Sequence, residues 1–396
     1  MRIANRTLKT IMLFSLMPLF VFAQSKKSKA DQYEFKMVYE LKTTPVKNQA
    51  KTGTCWSFAT TSFVETELMR MGKGEHILSP MFNVRYAYPP KAENYIRYNG
   101  LTNFGMGGQA HDVMNIIREY GFVPEEVYSG KQIGEEDYNH GEMDAVLKAI
   151  VDAVNKDKGG KITPAWQKVF ESALNIYLGV PPKEFTYQGK TYTPKSFVEE
   201  MGFNPDDYIE LTSFTHHPFY KQFDLEVPDN WSKGLYYNVP IDDIMKIMDN
   251  ALEKGYSVAW DGDVSEKGFS RKKGIAIVPA ADEATDDSKK DEEDADQPVK
   301  EKVVTQEMRQ DTFDNRTTTD DHLMHITGLA QDQNGDKFYY TKNSWGIKDK
   351  KYDGYWYMSV PYVRLKTIAI MVHKDAIPAE IKEKLRIELA PTKAGN

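Results

Sequence analysis

An α+β fold is predicted for this chain of 396 residues, and three observations carry the prediction. Apolar residues after Cys55 recur every three or four positions, two strand-like runs flank an Asn-Gly dipeptide at 334–335, and a pair of helical segments lies between these regions. A hydrophobic content of 40% with 12% aromatics argues against global disorder, and the length suffices for a large core or two lobes. No repeat period stands out.

The N-terminus reads as a secretory signal. Arg2, Arg6 and Lys9 precede an apolar run from Ile11 to Ala23, and Val21-Phe22-Ala23 predicts cleavage after Ala23. The run is short for a membrane span and contains Pro18, so cleavage is expected rather than retention as an anchor. Residues 24–34 then form a polar lead and 35–396 the folded domain. A bacterial periplasm is the expected compartment, with full secretion second and no membrane association after signal cleavage.

Cys55, the sole cysteine, lies in PVKNQAKTGTCWSFATTSF. Trp56, Ala59, Phe63, Val64, Leu68 and Met71 share one helical face, and no Gly or Pro interrupts before Gly72, so a helix starts almost at the thiol. Unpaired N–H groups at a helix N-terminus favour an anion and lower a thiol pKa. A lone cysteine is often a small buried hydrophobe, but this position suits a nucleophile. Gln49, on the loop before the helix, can donate its amide beside the thiol.

Downstream, Met143 to Val154 has helical spacing, Gly159-Gly160 marks a turn, and Thr163-Pro164 reads as N-cap and first residue of a second helix reaching about Leu178. Phe185 to Thr193 alternates around Gln188-Gly189 as a β-hairpin. His216-His217 lack a cysteine or carboxylate at ligand spacing, so a loop is expected there and no metal site. Between Asp282 and Asp296 stand nine acidic residues and two lysines, which predict a solvated loop across 281–300. That run alone carries −7, equal to the formal charge of the whole chain, so the remaining surface gives no charge argument for nucleic acid or anionic membrane.

DDHLMHITGLAQDQNGDKFYYTKNSWG, residues 321–346, predicts a hairpin with its loop at Asp332 to Asp336. His322 and Asn343 lie at nearly equal distances from that loop, which makes them neighbours across the pair. An Asn oxygen can hold an imidazole N–H and fix its tautomer. His325 points to the opposite strand face from His322, and His322 is therefore the expected base.

Together, QAKTGTCW, DDHLMHITG and KNSWG resemble the papain-like cysteine peptidases, in the order Gln, Cys, His, Asn. The resemblance implies Cys55 as nucleophile, His322 as general base and acid, Asn343 as orienter, and Gln49 with the Cys55 backbone as oxyanion hole. It implies that Trp345 shields the His322–Asn343 bond and that Gly107 and Gly108, in GMGGQAHDV, pair with an extended peptide. Two departures stand out. Thr52 occupies the place of a disulfide cysteine common in secreted members, and Cys55 and His322 are 267 residues apart, beyond the roughly 130–150 of the papain pattern.

The intervening segments, among them EYGFVPEEVYSG, PFYKQF and GLYYNVPIDDIMKIMDNALEKGYSVAWDGDVS, resemble the bleomycin hydrolase and aminopeptidase C branch. That resemblance implies a papain-like two-lobe fold: an α-rich lobe with Cys55, a β-rich lobe with His322 and Asn343, and a helical insertion at about 130–230. It implies peptide substrates, release of N-terminal residues, no metal or organic cofactor, and a homo-oligomer. It also implies an occluding C-terminal arm, about 378–396, that sets the Asn396 carboxylate against the substrate amine. A helix is expected from about Pro378 to Leu389 in that arm. A secreted endopeptidase and a non-catalytic peptide-binding protein remain the alternatives.

Overall fold

The computed structural model describes residues 32–280 and 298–387, apart from 133, 135, 157 and 158. The predicted signal, lead residues 24–31, the acidic run 282–296 and Asn396 lie outside the described residues.

After strand β1 (Lys36–Glu40) comes helix α1 (Cys55–Arg70), which starts at the thiol as its periodicity predicts. Its burial goes further than one face: 14 of its 16 residues are buried, because both lobes pack on it. Helix α2 (Pro80–Arg97) starts with Pro80 behind Ser79, whose hydroxyl accepts from the Phe82 N–H at 3.1 Å. Helix α3 (Ala110–Tyr120) starts where Asp112 accepts from the Gln109 N–H at 2.9 Å.

The predicted insertion supplies helices α4 (Gly141–Lys156) and α5 (Ala165–Leu178), the hairpin of β2 (Phe185–Tyr187) and β3 (Lys190–Tyr192), helix α6 (Pro194–Met201), and strands β4 (Tyr208–Thr212) and β5 (Gln222–Asp224). Helix α5 begins after Pro164 with no side-chain cap, so Thr163 does not cap it. Gln188 and Gly189 turn the small hairpin with positive φ at both positions, 49° and 79°. Leu147, Val151, Phe170, Leu174 and Phe197 join Phe63, Val64, Phe82 and Ile117 in one core, so the inserted helices thicken the α-rich lobe.

Strand β6 (Leu235–Asn238), helix α7 (Ile241–Glu253), strands β7 (Val258–Gly262), β8 (Phe269–Ser270) and β9 (Ile275–Ala276), and helix α8 (Gln306–Asp314) follow. Then come β10 (His322–Gln331), β11 (Lys337–Lys342), β12 (Tyr355–Ser359), α9 (Val360–Lys366), β13 (Thr367–His373) and α10 (Ala379–Leu385). The main sheet runs β5-β6-β4-β13-β7-β10-β11-β12-β9-β8. One edge of β10 pairs first with β7, His322 opposite Gly262, and then with β1, Gly328 opposite Glu40. Its other edge pairs with β11 through the turn Asp332 to Asp336, where Gly335 takes φ 87°. Trp260, Met324, Ile326, Tyr339, Trp356 and Ile370 form the second core, that of the β-rich lobe.

Helix α10 ends at Leu385, where Arg386 turns left-handed at φ 57°, four residues before the predicted end. Described residues on either side of the acidic run pair with each other: Ala280 N–H donates to Lys300 O at 2.8 Å and Lys302 N–H to Val278 O at 2.9 Å.

Because α1 is buried on every side, its polar residues need partners from both lobes. Glu65, fully buried, accepts from the Leu78 N–H at 2.8 Å and from the Thr44 hydroxyl, and lies 3.2 Å from Lys47 Nζ. Lys342 Nζ, on β11, donates to Thr44 O at 2.7 Å and to Ser62 Oγ at 2.9 Å. Ser62 Oγ in turn lies 3.0 Å from His325 Nδ1. These bonds form a polar seam from α1 into β10 and β11.

Candidate active site

The seam fixes the start of α1 beside the start of β10, and the residues singled out in the sequence meet there. Asn48, Gln49, Thr52, Gly53, Cys55, Gly107, His322 and Trp345 line one cavity of about 590 Å³. Backbone bonds lock its two principal segments together: Gln49 N–H donates to Ser344 O at 2.8 Å, and Gly346 N–H to Lys47 O at 3.1 Å.

His322 Nε2 lies 2.8 Å from Asn343 Oδ1, which also accepts from the Ser344 N–H at 2.7 Å. As an acceptor, that oxygen places the proton on Nε2 and leaves Nδ1 as the ring's basic nitrogen. Trp345 stacks on the imidazole with ring centroids 4.6 Å apart, and the Arg271 guanidinium lies 4.6 Å over the indole. His325 faces the other way. Its Nδ1 accepts from Ser62, whose own oxygen takes the Lys342 proton, and its Nε2 is without a partner. Leu323 packs with the α-rich core and Met324 with the β-rich one, as the alternation of β10 requires.

Gln49 Nε2 donates to Thr52 O at 2.8 Å and its Oε1 accepts from Ser344 Oγ at 2.5 Å, so one amide hydrogen remains for the cavity. Where a disulfide cysteine is common, the Thr52 hydroxyl closes the loop instead. It lies 2.9 Å from Gln49 O and 2.6 Å from Thr54 Oγ1. Gly107 and Gly108 part company. Gly107 lines the cavity, whereas Gly108 is buried against Trp56 and Asp112.

Burial pushes the Cys55 thiol up to about 12, opposed by a hydrogen bond with the Leu323 backbone and reinforced by Asp261, Asp229 and Asp320. Burial likewise pushes His322 down to about 4, with the Asn343 bond opposing it and Arg271 assisting. The lowering expected from the helix N-terminus therefore works against burial. Both directions favour a neutral thiol and a neutral imidazole at pH 7, between which one proton transfer creates a charge pair.

The acidic wall is absent from the sequence expectations, as are Arg271 and Lys350, which also line the cavity. Asp261 on β7 is buried and held well above the usual carboxylate range by burial and by Asp320. Burial and the charges of Asp229 and Asp321 hold Asp320 up at about 7, while bonds to Asp261 and Gln109 oppose them. Two adjoining carboxyls share a proton in this way. A carboxyl raised in the folded state stabilises the fold below its unfolded pKa near 4, and that stability is lost as pH rises through 7. Asp320→Asn is thus expected to raise Tm by a few degrees at pH 8 and by less at pH 5, where only part of that stability has been lost, measured by thermal melts at both pH values.

His216 and His217 do have a carboxylate neighbour: their Nε2 atoms lie 3.1 and 2.6 Å from the two Glu226 oxygens. Gln310 Oε1 accepts from the Thr215 N–H, so its Nε2 faces His216 Nδ1 as donor, which leaves His216 Nε2–H to donate to Glu226. That bonding pattern is a hydrogen-bonded loop clasp on the Glu226 carboxylate.

Residues 96–393 match the model of the Peptidase C1-like family. The chain belongs to the Peptidase C1-like family. Within it, this papain-like α+β chain falls in the aminopeptidase C and bleomycin hydrolase branch. Aminopeptidase G of Lactobacillus delbrueckii subsp. lactis is 25% identical, over 89% of this chain and 86% of the relative. Aminopeptidase C of Lactococcus lactis subsp. lactis is 22% identical, over 85% and 82%. The crystal structure of PepW from Lactobacillus rhamnosis superposes with a TM-score of 0.70 at 20% identity, over 89% of this chain and 84% of that one. The family match begins after Gln49 and Cys55, but the curated relatives cover most of the chain.

Proposed function

We propose that this family member is a thiol-dependent aminopeptidase. The observation that carries the proposal is the His322 imidazole, fixed through Nε2 by Asn343 in the cavity it shares with Cys55. The related aminopeptidases G and C support the same activity. In this mechanism Cys55 Sγ attacks the carbonyl carbon of the first peptide bond while its proton passes to His322 Nδ1. The spare Gln49 amide hydrogen and the Cys55 N–H receive the oxyanion. As the C–N bond breaks, His322 returns the proton to the leaving amine, and a thioester remains. Water, deprotonated by His322, then releases the amino acid and restores the thiol. Trp345 keeps solvent from the His322–Asn343 bond.

The chain starting at Gln24 tests this reading with paired peptides that differ only in a free or acetylated N-terminus. Free-amine peptides are expected to turn over at least about 100-fold faster in kcat/KM, with no effect of a metal chelator. Equal cleavage of blocked peptides or internal bonds would move the assignment to the endopeptidase alternative.

We also propose export through the N-terminal signal and assembly into a homo-oligomer. Exposed Val169 and Ile176 on α5, with Val180 beyond it, suit burial against another copy. Cell fractionation and sedimentation decide these two points; a cytosolic monomer would refute both.

A further inference from the structure

The cavity wall opposite Trp345 carries a carboxylate where a peptide backbone would be expected to lie. A Cβ built on Gly107 would meet Asp229 Oδ2 at 2.0 Å, so the Asp229 carboxylate covers the face of Gly107. The carbonyl of Gly107 is also engaged, by the buried Lys91 Nζ, which donates to Gly105 O at 2.9 Å as well. An extended chain therefore cannot run on past this glycine. The wall terminates the substrate.

Asp229 is firmly held. Asn103 Nδ2 donates to its Oδ1 at 2.7 Å, which leaves Oδ2, the oxygen over Gly107, without a hydrogen-bond donor among the described residues. Burial holds its carboxyl above the usual range, opposed by the charge of Lys91 and the Asn103 bond, and the Lys91 ammonium itself is directed to the carbonyls of Gly105 and Gly107. The next residues are pinned as well. Asn230 Nδ2 donates to Leu225 O and Gly234 O, both at 3.1 Å, and Trp231 Nε1 to Asp112 Oδ2 at 2.9 Å. The carboxylate is thus presented on a rigid loop, and its charge reaches the Cys55 thiol. The cations of the cavity, Arg271 and Lys350, belong to the other wall, over Trp345 and Trp356. The cleft has a negative and a positive side.

We propose that Asp229 binds the free α-ammonium group of the substrate and so determines the specificity for unblocked N-termini. This inference rests on the aminopeptidase reading above and places its amine anchor in the body of the fold, in place of Asn396. A peptide α-amine with a pKa near 8 is cationic at pH 7 and supplies the donor that Oδ2 lacks. An acetylated terminus brings no charge, leaves the half-buried carboxylate unpaired, and collides with it over Gly107.

The test measures binding, with no need for turnover. Cys55→Ala protein is titrated calorimetrically at pH 7 with trialanine, N-acetyl-trialanine, and lactyl-dialanine, which has a hydroxyl in place of the amine. Trialanine is expected to bind about 10–100-fold more tightly than either neutral probe. Adding Asp229→Asn, which keeps the shape and removes the charge, should shrink the gap between trialanine and lactyl-dialanine to less than about threefold. Deleting Ala394 to Asn396 should leave that gap intact. Equal binding of trialanine and lactyl-dialanine by the Cys55→Ala parent overturns the anchor, and this comparison needs no folded Asp229 variant. A gap that survives Asp229→Asn but disappears with the C-terminal deletion overturns it too, in favour of Asn396. Turnover by the wild type is read separately, and its absence would fall on the proposed activity and leave the anchor result standing.

Discussion

Cys55→Ala is expected to remove both turnover and labelling by a thiol reagent, since no second sulfhydryl exists in the chain. The loss should reach at least about 10⁴-fold in kcat, as for other nucleophiles that act jointly with a base. His322→Ala should cost about 10³-fold or more, because the thiol then loses the imidazole proposed to accept its proton. His325→Ala separates structure from chemistry on the same strand. Its imidazole is fully buried against Ser62 and Phe63, so substitution should cost about 2–4 kcal/mol of stability while kcat changes less than about threefold. Steady-state kinetics and urea unfolding of the three variants check these outcomes. The reverse ranking of the two histidines would place the base on the other face of β10.

The largest stability effect is expected at Glu65. Its carboxylate is fully buried and receives the Leu78 N–H, the Thr44 hydroxyl and the Lys47 ammonium. Glu65→Ala removes the acceptor and leaves those donors buried between the lobes, at about 3–5 kcal/mol. Lys342, already pushed down to about 8 by burial, loses the neighbouring charge that favours its protonated form. Glu65→Gln keeps hydrogen-bonding capacity without the charge and should lose less. Urea midpoints of the two variants measure the difference, and equal small losses would mean that the seam does not join the lobes.

Local patterns explain what the sequence disclosed. The start of α1 and the Asn334-Gly335 turn were legible because periodicity and turn chemistry act over a few residues. The neighbourhood of His322 and Asn343 followed from counting outward along that hairpin. Asp229 and Arg271 carry no such mark. They reach the cavity from loops remote in sequence from Cys55, and their meaning arises only where Gly107 and Trp345 receive them. Burial of α1 on all sides was hidden too, because Thr60, Thr61, Ser62, Glu65 and Glu67 resemble an ordinary solvated helix face. Thr163 was a plausible cap, yet Pro164 takes the N-cap position itself, a one-residue shift of the kind local signals do not resolve.

The hydroxyl-closed loop at Thr52 has a consequence for how this molecule meets oxidants and reductants. Hydrogen bonds from Thr52 to Gln49 and Thr54 do not respond to electron transfer, and the chain has no cystine that a reductant can open. Redox chemistry of sulfur, methionines aside, is confined to Cys55 Sγ. An oxidant that takes it to the sulfenic acid would halt the chemistry while the architecture persists, and a small thiol would reverse that step through a mixed disulfide. Further oxidation to the sulfinic acid would be permanent. In an oxidising compartment the chain would therefore behave as a fold of constant strength with a switchable centre, its working fraction set by the ambient thiol potential.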